Sequence, residues 1–551
     1  MTRAVASARA STGAHRHGDP PATRHNGASG FREPPRVTRL QSFVVAAFAL
    51  VVAGCASLPL PEGRTATTVV TDTVATRLGR AVAADIAANP GKTGIHALTN
   101  AREAFATRVL LAAAAEKSID AQYYIWHGDQ VGYLLFEALW RAAERGVRVR
   151  LLLDDLNTGG LDATIAALDG HPGIEVRLYN PVTQRSARAL NFLTDFTRVN
   201  RRMHNKSFTV DNQLSVVGGR NIGDEYFGAG SGLGFADLDV LAVGAAVGEV
   251  SRQFDLYWNS PSAYPAAGFV GVARATGAAE LQARFDATRA DPQSRDYLEA
   301  VRTTAIVRDV VERKVAFEWT TARLVHDDPA KTLDTAGRAE VLLFPELVRA
   351  MGRPERTLDL VSPYFVPGDE GTDALVALAR RGVQVRILTN SLASSDVGAV
   401  HAGYAKRRAD LLRAGIRLYE LKPTAARDNA QGEMLGLGSS SSSGLHAKTF
   451  AVDGSRAFVG SFNFDQRSAR LNTEMGLVID SPTLARHIGE SFDTSIPRVA
   501  WEVRLGADGA SLVWIEQTSD GERRFDVEPG TSWARRTGVQ MMSILPIEWL
   551  L

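Results

Sequence analysis

Met203–Asp211 reads MHNKSFTVD and Leu445–Asp453 reads LHAKTFAVD, so the spacing HxKxxxxD occurs twice, as His204, Lys206, Asp211 and as His446, Lys448, Asp453. After each lysine, SFTVD or TFAVD alternates small or polar with apolar side chains, the period of a half-buried strand. Residues two apart share a strand face, so each His and Lys project toward one point. Each copy runs on into a short apolar segment with glycine, LSVVGGRN (Leu214–Asn221) or RAFVGSFN (Arg456–Asn463). The pattern predicts a hairpin that returns the chain to the histidine, where Asn221, or Ser461 with Asn463, offers donors to an anion. A single short match is weak evidence, because a strand can carry an incidental histidine. Two copies with matching flanks are not.

The surroundings repeat as well. Asp120–Trp126 (DAQYYIW) is strand-like, Tyr133–Arg145 has apolar residues at helical spacing, Gly146 ends that helix, and Val147–Leu153 (VRVRLLL) is a second strand. The later half gives Leu358–Phe365, Asp373–Arg381, Gly382 and Val383–Leu388 in the same order. Repetition of a β-α-β unit beside a repeated motif implies an internal duplication. Alternating strands and helices place the chain in the α/β class and predict a mainly parallel sheet covered on both faces in each half.

The segments RRMHNKSFTVDNQLSVVGGRNIGDEYF and LHAKTFAVDGSRAFVGSFNFDQRS resemble the phospholipase D superfamily, in its bacterial cardiolipin synthase branch. The likeness runs from about Gly94 to about Arg535. It implies two tandem phospholipase D-type α/β sandwich domains, related by the duplication and a pseudo-two-fold axis, with the two motifs facing across it. It also implies a phosphohistidine intermediate, no cofactor and no metal, and the residues agree in that no His/Asp/Glu set with metal-ligand spacing stands out beyond the motifs. In the family, Asp211 and Asp453 belong to the motif and mainly hold it together.

Two imidazoles, two ammonium groups and several amide or hydroxyl donors form a receptor for a phosphate that is attacked and released. One histidine attacks phosphorus and the other, protonated, gives a proton to the departing alkoxide. Lys206 and Lys448 neutralise charge on the phosphate oxygens, while Asn221, Asn463 and Ser461 hold it in line. The assignment adopted is His204 as nucleophile and His446 as acid, with the reverse left open by the near symmetry. Gly219 stands where Ser461 stands in the other half. Each histidine needs an acceptor on its other ring nitrogen, and Asp237 (FADLDVLAVG) and Glu474 (NTEMGLVI) follow their motifs at comparable places. His127, His401 and the run Tyr123, Tyr124, Trp126 read as loop and core residues.

The 551 residues are 45% hydrophobic and 22% charged, with 62 Lys and Arg against 61 Asp and Glu. A chain this long and apolar is globular with more than one domain. Near-zero net charge argues against a nuclease of the same superfamily, for which a basic channel with interleaved aromatics is expected. The expected partners are phospholipid substrates, namely phosphatidylglycerol with phosphatidylethanolamine as a further donor, at a membrane surface. The expected activity is phosphatidyl transfer giving cardiolipin, and the alternative acceptor is water.

The N-terminus is a basic leader without hydrophobic periodicity, followed by FVVAAFALVVAGC (Phe43–Cys55). A positive flank, an apolar run and small residues before the chain's single cysteine resemble a lipoprotein signal with Cys55 lipidated. An uncleaved signal anchor is the competing reading. Both place the protein on a membrane facing the periplasm. The expected organisation is leader 1–55, tether and helix 56–93, first half 94–260, connector 261–353, second half 354–500 and extension 501–551. GLGSSSSSG (Gly436–Gly444) reads as a flexible loop, either a lid over the site or a surface loop without a role, and HDDPAK (His326–Lys331) as a turn in the site wall.

Overall fold

The computed structural model describes Leu58 and residues 63–228, 233–333, 338, 340, 342–425 and 442–551. Cys55, the apolar run before it and most of the serine-rich loop lie outside the described residues. Among those described, no helix is long and apolar enough to cross a membrane.

The first half contains β1 (Thr93–Leu98), β2 (Ser118–Tyr123), β3 (Arg148–Asp154), β4 (Ile174–Tyr179), β5 (Ser207–Val210) and β6 (Leu214–Gly218). It continues with β7 (Leu233–Ala236), β8 (Asp239–Gly244), β9 (Ala263–Pro265) and β10 (Glu318–Thr320). The second half contains β11 (Ala322–His326), β12 (Thr357–Val361), β13 (Phe365–Val366), β14 (Gln384–Asn390), β15 (Arg417–Leu421) and β16 (Ser442–Leu445). Then follow β17 (Lys448–Val452), β18 (Arg456–Gly460), β19 (Phe464–Asp465), β20 (Met475–Ile479), β21 (Ala500–Leu505), β22 (Leu512–Thr518) and β23 (Gly521–Phe525).

The first sheet runs β10-β1-β8-β6-β5-β2-β3-β4-β9 and the second β11-β20-β18-β17-β12-β14-β15-β21-β22-β23. Eight positions correspond, from β1 with β11 to β9 with β21, so the duplication extends through the sheets. The sheets are mixed, which corrects the expectation of mainly parallel ones. Within these two large sheets, only β2-β3-β4 and β12-β14-β15 pair in parallel. The motif hairpins β5-β6 and β17-β18 dock antiparallel beside them. The β-α-β pattern governs three strands of each sheet, and hairpin connections force the rest to alternate. Residues 261–353, expected as a connector, carry β9, β10, β11 and the helix Leu343–Met351. The extension beyond Trp501 adds β22 and β23 to the second sheet.

The expected helices form at Gln130–Glu144 and Gly368–Arg380, each followed by a glycine at φ 89°, Gly146 or Gly382. That left-handed position ends a helix at no cost to a residue without Cβ. An apolar core common to both halves includes Val217 and Val240 from one sheet and Val459 and Leu477 from the other, so the halves pack sheet against sheet.

The motif aspartates lie at the hairpin turns, away from the histidines. Asp211 accepts from the backbone N–H groups of Glu116 (3.0 Å), Lys117 (2.7 Å) and Ser118 (2.9 Å), at the start of β2. Asp453 does the same for Glu355 (3.1 Å), Arg356 (2.7 Å) and Thr357 (2.9 Å), at the start of β12. Both sit at positive φ, 49° and 54°, which Asp tolerates better than most residues. Their role is therefore to tie the motif hairpin to the neighbouring strand. Asp211→Ala loses these charge-assisted bonds and is expected to destabilise the fold by about 1.5–3 kcal/mol, with Asp211→Asn less damaging, as read by chemical denaturation.

Candidate active site

The two motifs meet through an exchange between halves. The backbone N–H of His204 donates to the Thr473 carbonyl at 2.8 Å, and Thr473 N–H to the Arg202 carbonyl at 2.9 Å. In the other half β16 runs parallel to β7, and the His446 N–H donates to the Ala236 carbonyl at 2.8 Å. Each motif is thus laced to the segment that precedes the carboxylate of the opposite half. His204 Nδ1 lies 2.7 Å from Glu474 Oε2, and His446 Nδ1 lies 2.5 Å from Asp237 Oδ2. The two carboxylates expected from sequence are present, and each serves the histidine of the other half. This reciprocal pairing is what a pseudo-two-fold arrangement produces. A carboxylate on Nδ1 fixes the tautomer and leaves Nε2 to react.

The lysines are buried, as is His204, while His446 is partly buried. Lys206 Nζ donates to the His204 carbonyl at 2.6 Å, and Lys448 Nζ to that of His446. Burial, reinforced by both lysine charges, drives the His204 imidazole well below its usual range. Burial and Lys448 bring His446 down to about 4, against the pull of Asp237. Both rings are neutral at pH 7. Burial lowers Lys206 well below the ordinary lysine range, and lowers Lys448 to about 8 against the attraction of Asp237 and Glu474. In the free enzyme the Lys448 charge is lost as pH rises through about 8, so kcat/KM is expected to fall there. Arginine does not titrate in this range, so a Lys448→Arg variant should lose that alkaline limb from whatever activity it keeps. A pH profile under kcat/KM conditions checks both.

The carboxylates differ in a way their types do not announce. Burial raises Asp237, but His446, Lys448 and Arg220 outweigh it and hold it at about 2. Arg220 is fully buried and donates to the Asp237 carbonyl at 2.5 Å. Burial raises Glu474 to about 7 despite Lys206 and the hydroxyls of Ser461 and Ser468. Those hydroxyls donate to Glu474 at 2.5 and 2.8 Å, so this carboxylate has three fixed partners. Ser461 therefore orients Glu474, whereas the sequence reading placed it on the phosphate. At Gly219, its counterpart, an added Cβ would meet Asp237 Oδ1 at 2.1 Å, so a serine does not fit.

Asn221 is buried, accepts from Ile125 N–H at 3.2 Å and keeps its amide nitrogen unpaired. The Asn463 side chain keeps its buried Oδ1 end unpaired, and amide ends are interchangeable by rotation. Unpaired buried polar atoms suit an anion that supplies the missing partner.

Several residues escaped the sequence reading. Tyr124 stands edge-on to His204 at 4.8 Å between ring centres, while Tyr123 and Trp126 are core as expected. The strand period puts positions 123 and 124 on opposite faces, a signal that was present. Tyr226 and Phe235 flank His446 at 5.0 and 5.3 Å, from a loop and a strand that carry no motif. The turn HDDPAK does reach the site wall. Asp327 accepts from the Glu474 N–H at 2.8 Å and pairs with Lys331 at 3.0 Å. His401 is buried against Glu528 and Arg408, at 2.9 Å from Glu528.

His127, Asp129 and Glu225 present ligand atoms within 4.8 Å of one another, which corrects the reading that no such cluster exists outside the motifs. Folding brings Glu225 beside residues that are distant in sequence. Asp129 is already engaged there, accepting from Gly132 N–H at 2.9 Å and Asp224 N–H at 2.7 Å.

The family described as "Cardiolipin synthase, PLD-like domain" matches residues 110–258 and 347–496, one match per half. Over 477 residues the chain is 46% identical to Cardiolipin synthase C of Escherichia coli (strain K12), covering 86% of this chain and 100% of that protein. It is 25% identical over 399 residues to Major cardiolipin synthase ClsA of Bacillus subtilis (strain 168), covering 72% of this chain and 68% of the relative. Its fold is similar to the crystal structure of phosphatidylserine synthase from Haemophilus influenzae Rd KW20, with a TM-score of 0.52 at 12% identity over 86% of this chain and 100% of that one. With a matched domain in each half and one relative aligned along its whole length, the chain belongs to the phospholipase D superfamily, in the cardiolipin synthase family.

Proposed function

We propose that the protein transfers a phosphatidyl group from one membrane phospholipid to the hydroxyl of phosphatidylglycerol, giving cardiolipin. The observation that carries this is the pair of histidines, each held at Nδ1 by a carboxylate of the opposite half, beside two buried lysines. Similarity to Cardiolipin synthase C supports the choice of acceptor.

His204 Nε2 attacks the donor phosphorus, forming a P–N bond as the bond to the headgroup oxygen breaks, and His446 Nε2–H gives that oxygen a proton. The acceptor hydroxyl then loses its proton to His446, attacks phosphorus and breaks the P–N bond. The carboxylate asymmetry supports these roles. Glu474, fixed by Ser461 and Ser468, holds the Nδ1–H of His204 and balances the charge that the ring gains. Asp237 stays ionised and favours the imidazolium that His446 needs as an acid. The phosphate charge of the bound lipid raises both histidines toward protonation. Lys206, Lys448, Asn221 and Asn463 meet the phosphate oxygens.

The protein works at a membrane surface. Phe43–Cys55 supports anchoring through a lipidated Cys55, facing the periplasm. The C-terminal segment supplies an apolar face, with Trp533 73%, Ile544 81% and Trp549 56% exposed. It is tied to the body at both ends. Arg535 donates to the Ser395 carbonyl at 2.9 Å, and Arg467 joins the Leu550 carbonyl (3.0 Å) to Asn200 (2.9 Å), which precedes the first motif. Exposed tryptophan and aliphatic residues suit the lipid interface.

Reconstituted protein given phosphatidylglycerol alone, and then with phosphatidylethanolamine, tests the reading by lipid mass spectrometry. New cardiolipin that vanishes in His446→Ala is expected, and phosphatidic acid without cardiolipin would make water the acceptor. Turnover is expected to survive EDTA unchanged. A loss restored by added metal would contradict a site that works through histidine and lysine alone.

A further inference from the structure

The duplication supplies an internal control for how each sheet is covered. In the first half Ile119 of β2 and Phe208 and Val210 of β5 are fully buried. Above them the helices Ala101–Ala114 and Gln130–Glu144 pack on each other, with Gly277–Ala290 and Arg295–Thr303 laid outside. The corresponding residues of the second half are Leu358 of β12 and Phe450 and Val452 of β17, and these keep 5–8% of their surface open. The covering helix there, Leu343–Met351, has 9 residues where its counterpart has 14. Among the described residues nothing corresponds to Gly277–Thr303 in the second half.

The consequence is a groove of about 670 Å³ between the helices Leu343–Met351 and Gly368–Arg380, floored by Leu358, Leu360, Phe450 and Val452. Ligand sites commonly span about 300–1,000 Å³. Arg349, Arg353 and Arg381 stand around it, all exposed, and no carboxylate is among the lining residues. An apolar trough rimmed by cations alone complements one class of molecule, an amphiphile with a hydrocarbon chain and an anionic head. Val452 is at the end of β17 remote from Lys448, so the groove is separate from the catalytic histidines.

We propose that this groove is a second, non-catalytic site for an anionic phospholipid, with one acyl chain over β12 and β17 and its phosphate against Arg349, Arg353 and Arg381. It rests on the membrane-lipid reading for the class of ligand, but not on turnover. A lipid held here secures the second half to the bilayer while the catalytic site exchanges its own substrates.

The test uses full-length His204→Ala protein, so that no chemistry consumes the probe. Vesicles of phosphatidylethanolamine carry a trace of phosphatidylglycerol, or of phosphatidylethanolamine, with a photoreactive group near the end of one acyl chain. Labelled peptides are mapped by mass spectrometry. Labelling is expected within residues 343–381 and should be several-fold stronger with the phosphatidylglycerol probe. Ala374→Phe with Ala377→Phe, at exposed positions lining the groove, should reduce it at least five-fold, and Arg349→Gln, Arg353→Gln and Arg381→Gln together should abolish the headgroup preference. Label that persists in the filled groove, falls only elsewhere, or is equal from both probes overturns the proposal. If the transferase reading fails instead, no cardiolipin forms in the parent protein while this labelling is unaffected.

Discussion

His204→Ala and His446→Ala each reduce phosphatidyl transfer between natural phospholipids by about 10⁴-fold or more, the scale seen when one member of a concerted catalytic set is removed. The two variants part company on a donor whose leaving group needs no proton, such as a nitrophenyl phosphatidyl ester. His446→Ala then releases nitrophenol in a single burst and stalls, because the acceptor hydroxyl has lost its base. His204→Ala releases none, because the nucleophile itself is gone. Asp237→Asn and Glu474→Gln should be milder, since each leaves an uncharged hydrogen-bonding group beside its histidine. Stopped-flow absorbance and steady-state lipid analysis give the two readouts. Equal bursts from both histidine variants would contradict the division of roles. Chemical denaturation of each variant separates lost chemistry from lost fold.

Arg150→Ala destabilises the fold by about 3–5 kcal/mol, the cost of leaving buried carboxylates without their cation. Arg150 is 1% exposed and binds Asp120 at 2.7 and 2.8 Å and Asp255 at 2.8 Å, with its guanidinium 4.8 Å from the Phe254 ring centre. The second half repeats the arrangement. Arg386 binds Asp359 at 2.6 Å and Asp493 at 2.7 Å, and lies 5.1 Å from Phe492. Asp493 is 62% exposed, whereas Asp255 is 15% exposed. Arg386→Ala should therefore cost less than Arg150→Ala, because water compensates one of its stranded carboxylates. Equal losses in urea denaturation would remove burial as the explanation. Neither arginine touches the histidines, so at temperatures where the variants remain folded their turnover should be near that of the parent.

The motif hairpins were legible because three signals agreed in them: alternation over SFTVD and TFAVD, a tight turn at the aspartate, and glycine before the returning asparagine. The residues Asp237 and Glu474 were legible as candidates because they follow their motifs at like distances. That each serves the opposite histidine was not legible, since nothing local distinguishes pairing within a half from pairing across halves. The mainly parallel sheet was expected for a related reason. A β-α-β pattern specifies β2-β3-β4, but says nothing about a later hairpin docking antiparallel on β2, or about β11 joining β20. Ser461 was assigned to the phosphate because nothing local announces its partner Glu474, thirteen residues on and just before β20. Tyr226 and Phe235 lie in stretches without periodicity, and only the fold brings their rings to His446. The low proton affinity of Asp237 comes from His446 and Lys448 first and from Arg220 after them, and the sequence shows Arg220 only as the end of VVGGR.

The most direct test of a composite site with divided histidine roles is to find where the phosphatidyl group rests. His446→Ala protein, quenched after one exposure to the activated ester and digested, should carry the phosphatidyl mass on the peptide containing His204, in an acid-labile, alkali-stable linkage. The mass on a peptide lacking His204, or no covalent species despite a nitrophenol burst, would contradict it.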